Sequence, residues 1–216
     1  MGRHRVAILG LLLNWGLTLW AFFQLPERVP VHWNFAGEVD RWGSKAEFLA
    51  MPAIASALFL FMVFWPRIDP QKRGEWKSWP LMVAATTWGL FFVQAGILYA
   101  LFATLSRSAF SPLKGVVMAL GLLFLILGNY LPKVPQNWVF GVRTPWTLAS
   151  KASWQKTHRL AGWLFVGVGG VTLLLAFVAP PSTALAAAIG LEILATLWVV
   201  YVSYRVWRQE ERGGAP

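Results

Sequence analysis

Residues 128–162 read GNYLPKVPQNWVFGVRTPWTLASKASWQKTHRLAG. The stretch carries Lys133, Arg143, Lys151, Lys156 and Arg159, and no carboxylate. Pro132, Pro135 and Pro145 remove backbone donors and rule out one continuous helix. Apolar runs at 113–131 and 160–179 flank it on either side. Irregular polar backbone next to two membrane spans is tolerated only where it meets water or lies inside protein. The expected architecture is therefore a polytopic membrane protein with a structured loop at 132–159.

Composition agrees. Of 216 residues, 57% are hydrophobic and 13% charged, against about 25% charged in a soluble domain. Mean hydropathy is +0.54. The lipid bilayer is the first expected partner. Cysteine is absent, which excludes disulfides and thiolate chemistry. The net charge of +10 suggests nucleic acid, but no basic run or stacking platform stands outside the apolar segments. No direct nucleic-acid partner is expected.

Working outward, six apolar runs have bilayer-spanning length: 6–25, 48–65, 79–104, 113–131, 160–179 and 183–204. The first lacks a small-x-small cleavage site and is expected to be a retained span. The fold class expected is all-α, six transmembrane helices in a compact bundle. Small residues four apart (Ala53/Ala57, Gly96/Ala100, Gly115/Ala119, Ala184/Ala188) allow close helix contact. Trp20, Trp65, Trp79, Trp163 and Trp207 lie near span ends and fit interfacial belts. The chain divides into a helical hairpin at 1–66 with an outer loop at 26–47, a basic loop and third helix at 67–112, and a module at 113–216. With six spans, 14 of the Lys and Arg residues fall on the side of both termini and 5 on the other. That bias predicts both termini in the cytoplasm. The 26–47 loop then faces outward and the 132–159 loop inward.

Three constellations could carry chemistry. In the inner loop, Ser150 is placed to cap a helix from Lys151. That helix sets Trp154 and His158 four apart on one face, with Lys151 beside them. One reading is an interfacial helix with Trp154 among headgroups and Lys151, Lys156 and Arg159 on phosphates. The other is a surface for an acidic partner, with Asn137, Arg143 and His158 as donors and Arg143 presented as a rigid fork between Gly141 and Pro145. In the outer loop, His32, Asn34, Glu38 and Asp40 fall within nine residues. They form either an ordered polar cap, with a turn at Gly37 and Asp40, or a divalent-metal site using His32, Glu38 and Asp40. The third is Glu192, deep in the last span, with Gln94 and Asn14 as candidate partners from other spans. A charge at a helix centre costs roughly 2.5–3.5 kcal/mol. Glu192 is therefore expected to be protonated, paired or facing a wet cavity. It serves either as helix glue or as a proton or ligand site.

Two segments resemble known families. PERVPVHWNFAGEVD at 26–40 resembles a small bacterial membrane domain of unknown function that often precedes the SdpI module. GNYLPK, then QNWVFGVRTPWTL, then WQKTHRLAG resembles the SdpI family. The specific pattern is N-x3-G-x-R-T-P-W-T-L followed by W-x3-H-R, which maps to Asn129, Asn137, Gly141, Arg143, Thr144, Pro145, Trp146, Trp154 and His158. The resemblance implies a multi-pass protein of the bacterial cytoplasmic membrane that gives immunity to a secreted antimicrobial peptide. It also implies signal transduction, in which the protein holds a cytoplasmic repressor at the membrane when toxin is present. On that reading His32, Asn34, Glu38 and Asp40 would meet toxin. Asn129, Asn137, Arg143, Thr144, Trp154 and His158 would meet the partner. No catalytic residue and no cofactor are expected. A membrane-embedded metal-dependent hydrolase and a small transporter using Glu192 are the alternatives.

Overall fold

The computed structural model describes residues 4–68, 76–108 and 111–213. Arg3, Lys72 and Arg73, counted above among the basic residues, lie outside the described residues. The chain runs through α1 (Arg5–Gln24), a hairpin of β1 (Arg28–Trp33) and β2 (Val39–Ser44), α2 (Ala50–Ile68), α3 (Trp79–Leu105), α4 (Pro112–Tyr130), α5 (Pro145–Ala149), α6 (Lys151–Val178) and α7 (Pro181–Gly213). All but α5 are long and apolar enough to cross a membrane. This is an all-α polytopic membrane protein. Its outer surface is what lipid requires: Phe23, Leu174, Phe177, Leu194 and Leu197 project outward.

The helices form two groups of three. α1 and α2 pack on α3, and α6 and α7 pack on α4. The α3–α4 contact joins the groups. Glycine sets these distances. A Cβ at Gly96 would lie 2.6 Å from both the Gly115 carbonyl oxygen and the Ala119 methyl. On the other face of α4, a Cβ at Gly169 would lie 2.7 Å from the Gly121 oxygen, and one at Gly128 would lie 2.8 Å from the Gly162 oxygen. Backbones therefore touch on both sides of α4, as small residues permit in lipid. Of the expected small-residue pairs, Gly96/Ala100 and Gly115/Ala119 meet each other, and Ala184 and Ala188 are buried. Ala53 and Ala57 are exposed instead, and Ala55 is the buried alanine of α2.

The two ends of the bundle have different contents. At one end, Val29 of β1 packs with Ala21, Leu25, Phe48, Leu98 and Leu101, and Trp33 Nε1 donates to Thr104 Oγ1 at 2.9 Å. At the other, Leu131, Val134 and Trp154 pack with Ala7, Met62 and Trp79, and Ser78 Oγ donates to the Lys133 carbonyl at 2.7 Å. The hairpin and the 131–150 segment thus sit at opposite ends. Trp79 is buried, with Nε1 bonded to the Met62 carbonyl, so it is a core residue and not part of an interfacial belt.

Two elements depart from the sequence expectation. The 26–47 segment is an antiparallel hairpin, with Arg28 opposite Ser44 and Val29 opposite Gly43. The turn expected at Gly37 and Asp40 is formed at Gly37 alone, since Asp40 lies in β2 with Gly43, whose missing side chain leaves room for the Glu47 carboxylate. The helix from Lys151 does not stop before the fifth span. It continues to Val178 as one helix, since no proline interrupts it between Ser150 and Pro180.

Candidate functional site

The 131–150 segment is built on side-chain to backbone hydrogen bonds. Asn137 is fully buried. Its Nδ2 donates to the Pro135 and Phe140 carbonyls at 2.7 and 3.0 Å. Its Oδ1 accepts from the Val139 and Phe140 amides at 2.8 and 2.7 Å. One amide thus holds a whole turn. Gly141 follows at φ +108°, and a Cβ there would lie 2.2 Å from His158 Nε2. Only glycine combines that backbone with that contact.

His158 locks the next residue. Its Nε2 accepts from the Val142 amide at 3.0 Å, and its Nδ1 lies 2.9 Å from the Trp154 carbonyl. A carbonyl only accepts, so Nδ1 carries the proton and the ring is neutral. Trp154 stacks on this ring with centroids 4.0 Å apart, and its Nε1 donates to the Val134 carbonyl at 2.8 Å. Both rings are buried. Trp154 is therefore a core residue of the loop and does not lie among headgroups.

Thr144 caps α5 in a reciprocal box with Thr147. Thr147 Oγ1 also donates to the Val142 carbonyl at 2.8 Å. Gln136 Nε2 donates to the Thr147 and Leu148 carbonyls at 2.8 and 3.0 Å. Thr144 Oγ1 lies 3.2 Å from Ser203 Oγ on α7. Ser150 Oγ accepts from the Ser153 amide and donates to the Glu210 carboxylate. The T-x-x-T spacing announces the Thr144–Thr147 box, while Gln136 and Ser203 carry no signal in the sequence.

Of the residues that the family motif assigns to a partner, four are thus turned inward: Asn137, Thr144, Trp154 and His158. Arg143 and Asn129 are exposed. Arg143 Nη1 donates to the Trp138 carbonyl at 2.8 Å, which ties the guanidinium to the loop backbone, and the Trp138 side chain is half-exposed. The surface that this end offers is cationic and aromatic, shaped by the buried set beneath it.

At the hairpin end the polar groups face outward. His32 Nδ1 lies 2.6 Å from Asp40 Oδ1, and both side chains are exposed. Asn34 Oδ1 accepts from the Ala36 and Glu38 amides, closing the turn that Gly37 completes at φ +81°. Asn34 Nδ2 donates to Glu38 Oε2 at 3.0 Å. Among the described residues no three His, Asp or Glu side chains converge as a metal site would require. Glu38 is held by Asn34 and not beside the His32–Asp40 pair.

Inside the bundle, Gln94 Nε2 donates to Thr18 Oγ1 at 2.9 Å and to the Phe48 carbonyl at 3.3 Å. It bridges α1, α3 and the turn that leads into α2, and does not pair with Glu192. Asn14 is fully buried without a hydrogen-bond partner. Glu192 lines a small apolar recess with Leu120, Phe124 and Ala188, and its Oε2 is buried there without a hydrogen-bond partner.

Two family models match separate parts of the chain. Residues 133–204 match the SdpI/YfhL protein family. This segment is similar to that family over a third of the chain. It contains the whole hydrogen-bonded network from Asn137 to Ser203. Residues 9–56 match a domain of unknown function, DUF1648, which covers the hairpin. Over 177 residues the chain is 22% identical to the immunity protein SdpI of Bacillus subtilis, covering 82% of this chain and 83% of that one. It is also 42% identical over 52 residues to an uncharacterized protein of Archaeoglobus fulgidus. That alignment covers 24% of this chain and 28% of the relative. No solved structure matches.

Proposed function

We propose that this chain is an immunity and signal-transduction protein of a bacterial cytoplasmic membrane. The hairpin faces outward and engages a secreted toxic peptide. The SdpI/YfhL module faces the cytoplasm and holds a repressor at the membrane. The observation that carries this reading is the placement of two unlike polar surfaces at opposite ends of one bundle. The SdpI/YfhL match, the similarity to the immunity protein of Bacillus subtilis and the Lys and Arg bias toward the loop end support it.

The surfaces suit these tasks. His32, Asn34, Glu38 and Asp40 form a compact exposed polar tip, able to hydrogen-bond peptide backbone. Arg143 and Trp138 supply a fixed guanidinium and an apolar plate, the residue types that anchor protein interfaces. Coupling between ends requires two arrangements of the bundle that each ligand biases.

The test uses host cells that lack this gene and are exposed to the cognate secreted peptide. The wild-type gene is expected to restore growth, and Asp40→Ala with His32→Ala to fail. Arg143→Ala is expected to keep growth protection and release the repressor from the membrane fraction. Equal sensitivity with and without the gene, and no cytoplasmic protein retained by the membrane, would refute the proposal.

A further inference from the structure

Where α4 meets α6 near the loop end, the contact between Gly128 and Gly162 leaves a notch. It has a volume of about 100 Å³ and is lined by Gly128, Asn129, Pro132, Gly162, Trp163 and Val166. Lys156, Arg159, Trp163 and Val166 follow one another at steps of three, four and three along α6, so they share one face. Read along the helix, that face passes from two cations to an indole to an aliphatic group over roughly 15 Å. This is the order of environments met on going from water through headgroups into acyl chains.

The side chains are disposed accordingly. Lys156 and Arg159 are exposed, and Trp163 is 73% exposed at the mouth of the notch. On the opposite wall, Asn129 is exposed. Among the described residues, neither Lys156 nor Arg159 has a carboxylate partner; the ion pairs described lie at the hairpin end. The α6 face beside the notch thus carries two unneutralised cations within two turns of an exposed indole.

We propose that this notch binds one anionic phospholipid of the leaflet on the loop side. Its phosphate sits between Arg159 and Lys156, its headgroup hydroxyls meet the Asn129 amide, and one acyl chain runs past Trp163 along Val166. The assignment depends on the membrane architecture and not on the immunity reading.

The full chain in detergent, mixed with phosphatidylglycerol or phosphatidylcholine at equal concentration, is assayed by native mass spectrometry. A retained phosphatidylglycerol adduct is expected, with phosphatidylcholine retained far less. Removing two charges with Arg159→Gln and Lys156→Gln is expected to weaken phosphatidylglycerol binding roughly 10- to 30-fold. Trp163→Ala is expected to weaken it as well. Arg28→Gln, at the hairpin end, is expected to leave it unchanged. These positions are exposed, and unchanged circular dichroism certifies the fold of each variant. Equal retention of the two lipids would overturn the proposal. So would an equal loss in Arg28→Gln, which means diffuse surface charge, or displacement of the lipid by inorganic phosphate, which means a simple anion site.

Discussion

The hairpin end and the loop end spend their polar groups in opposite ways. At the hairpin, strand pairing satisfies the backbone, and side chains are left to pair with one another in the open: His32 with Asp40 and Arg41 with Glu47. At the loop, sheet and long helix are absent, so side chains satisfy the backbone instead. Asn137, Thr147, Trp154 and His158 are consumed in that work. The lesson is that a polar motif at a membrane end has two distinct meanings. At the hairpin it is a display. At the loop most of it is scaffolding, and the display is narrowed to Arg143, Trp138 and the lysines and arginines around them.

Substitutions can break or sharpen this contrast. The largest effect is expected from Gly141→Ala. It imposes a side chain at φ +108° against the His158 ring, and should cost roughly 2–4 kcal/mol. A clear drop in melting temperature in detergent is the readout, and an unchanged value would show that the loop is not built around that contact. Asn137→Ala comes next. It strips four backbone groups of their partner and should cost about 2 kcal/mol. Faster proteolysis confined to 131–150, with the hairpin intact, would place the damage where the geometry says. The smallest effect is expected from Asp40→Asn. The exposed pair with His32 is worth about 0–1 kcal/mol, so the melting temperature should hardly move. A large shift there would erase the distinction between display and scaffold.

Much of this was legible in the sequence. The helices follow from run length and from prolines at their starts, such as Pro112 and Pro181. The cap at Ser150 and the close contact of Gly96 with Gly115 follow from residue type and spacing. The hairpin was not legible, because Pro30 inside β1 argues against a strand. The structure accommodates it beside a register shift between Pro30 and His32. The glycine contacts of α4 with α6 escape a search at spacing four, because Gly121/Gly128 and Gly162/Gly169 each lie seven apart. The burial of Trp154 and His158 could not be read from their helix. It depends on Val134 and Val142 folding back from upstream, and such long-range closure leaves no local pattern.

The unbroken course of α6 has a mechanical consequence. His158 lies about 30 Å of helix rise from the far tip at Val178. No break in the helix separates the two. A swing of about 5° pivoting on that tip carries the imidazole sideways by roughly 2.5 Å over this length. That is enough to pull it off the Val142 amide and unlatch the segment above, so leverage alone can relay a disturbance from one leaflet to the other.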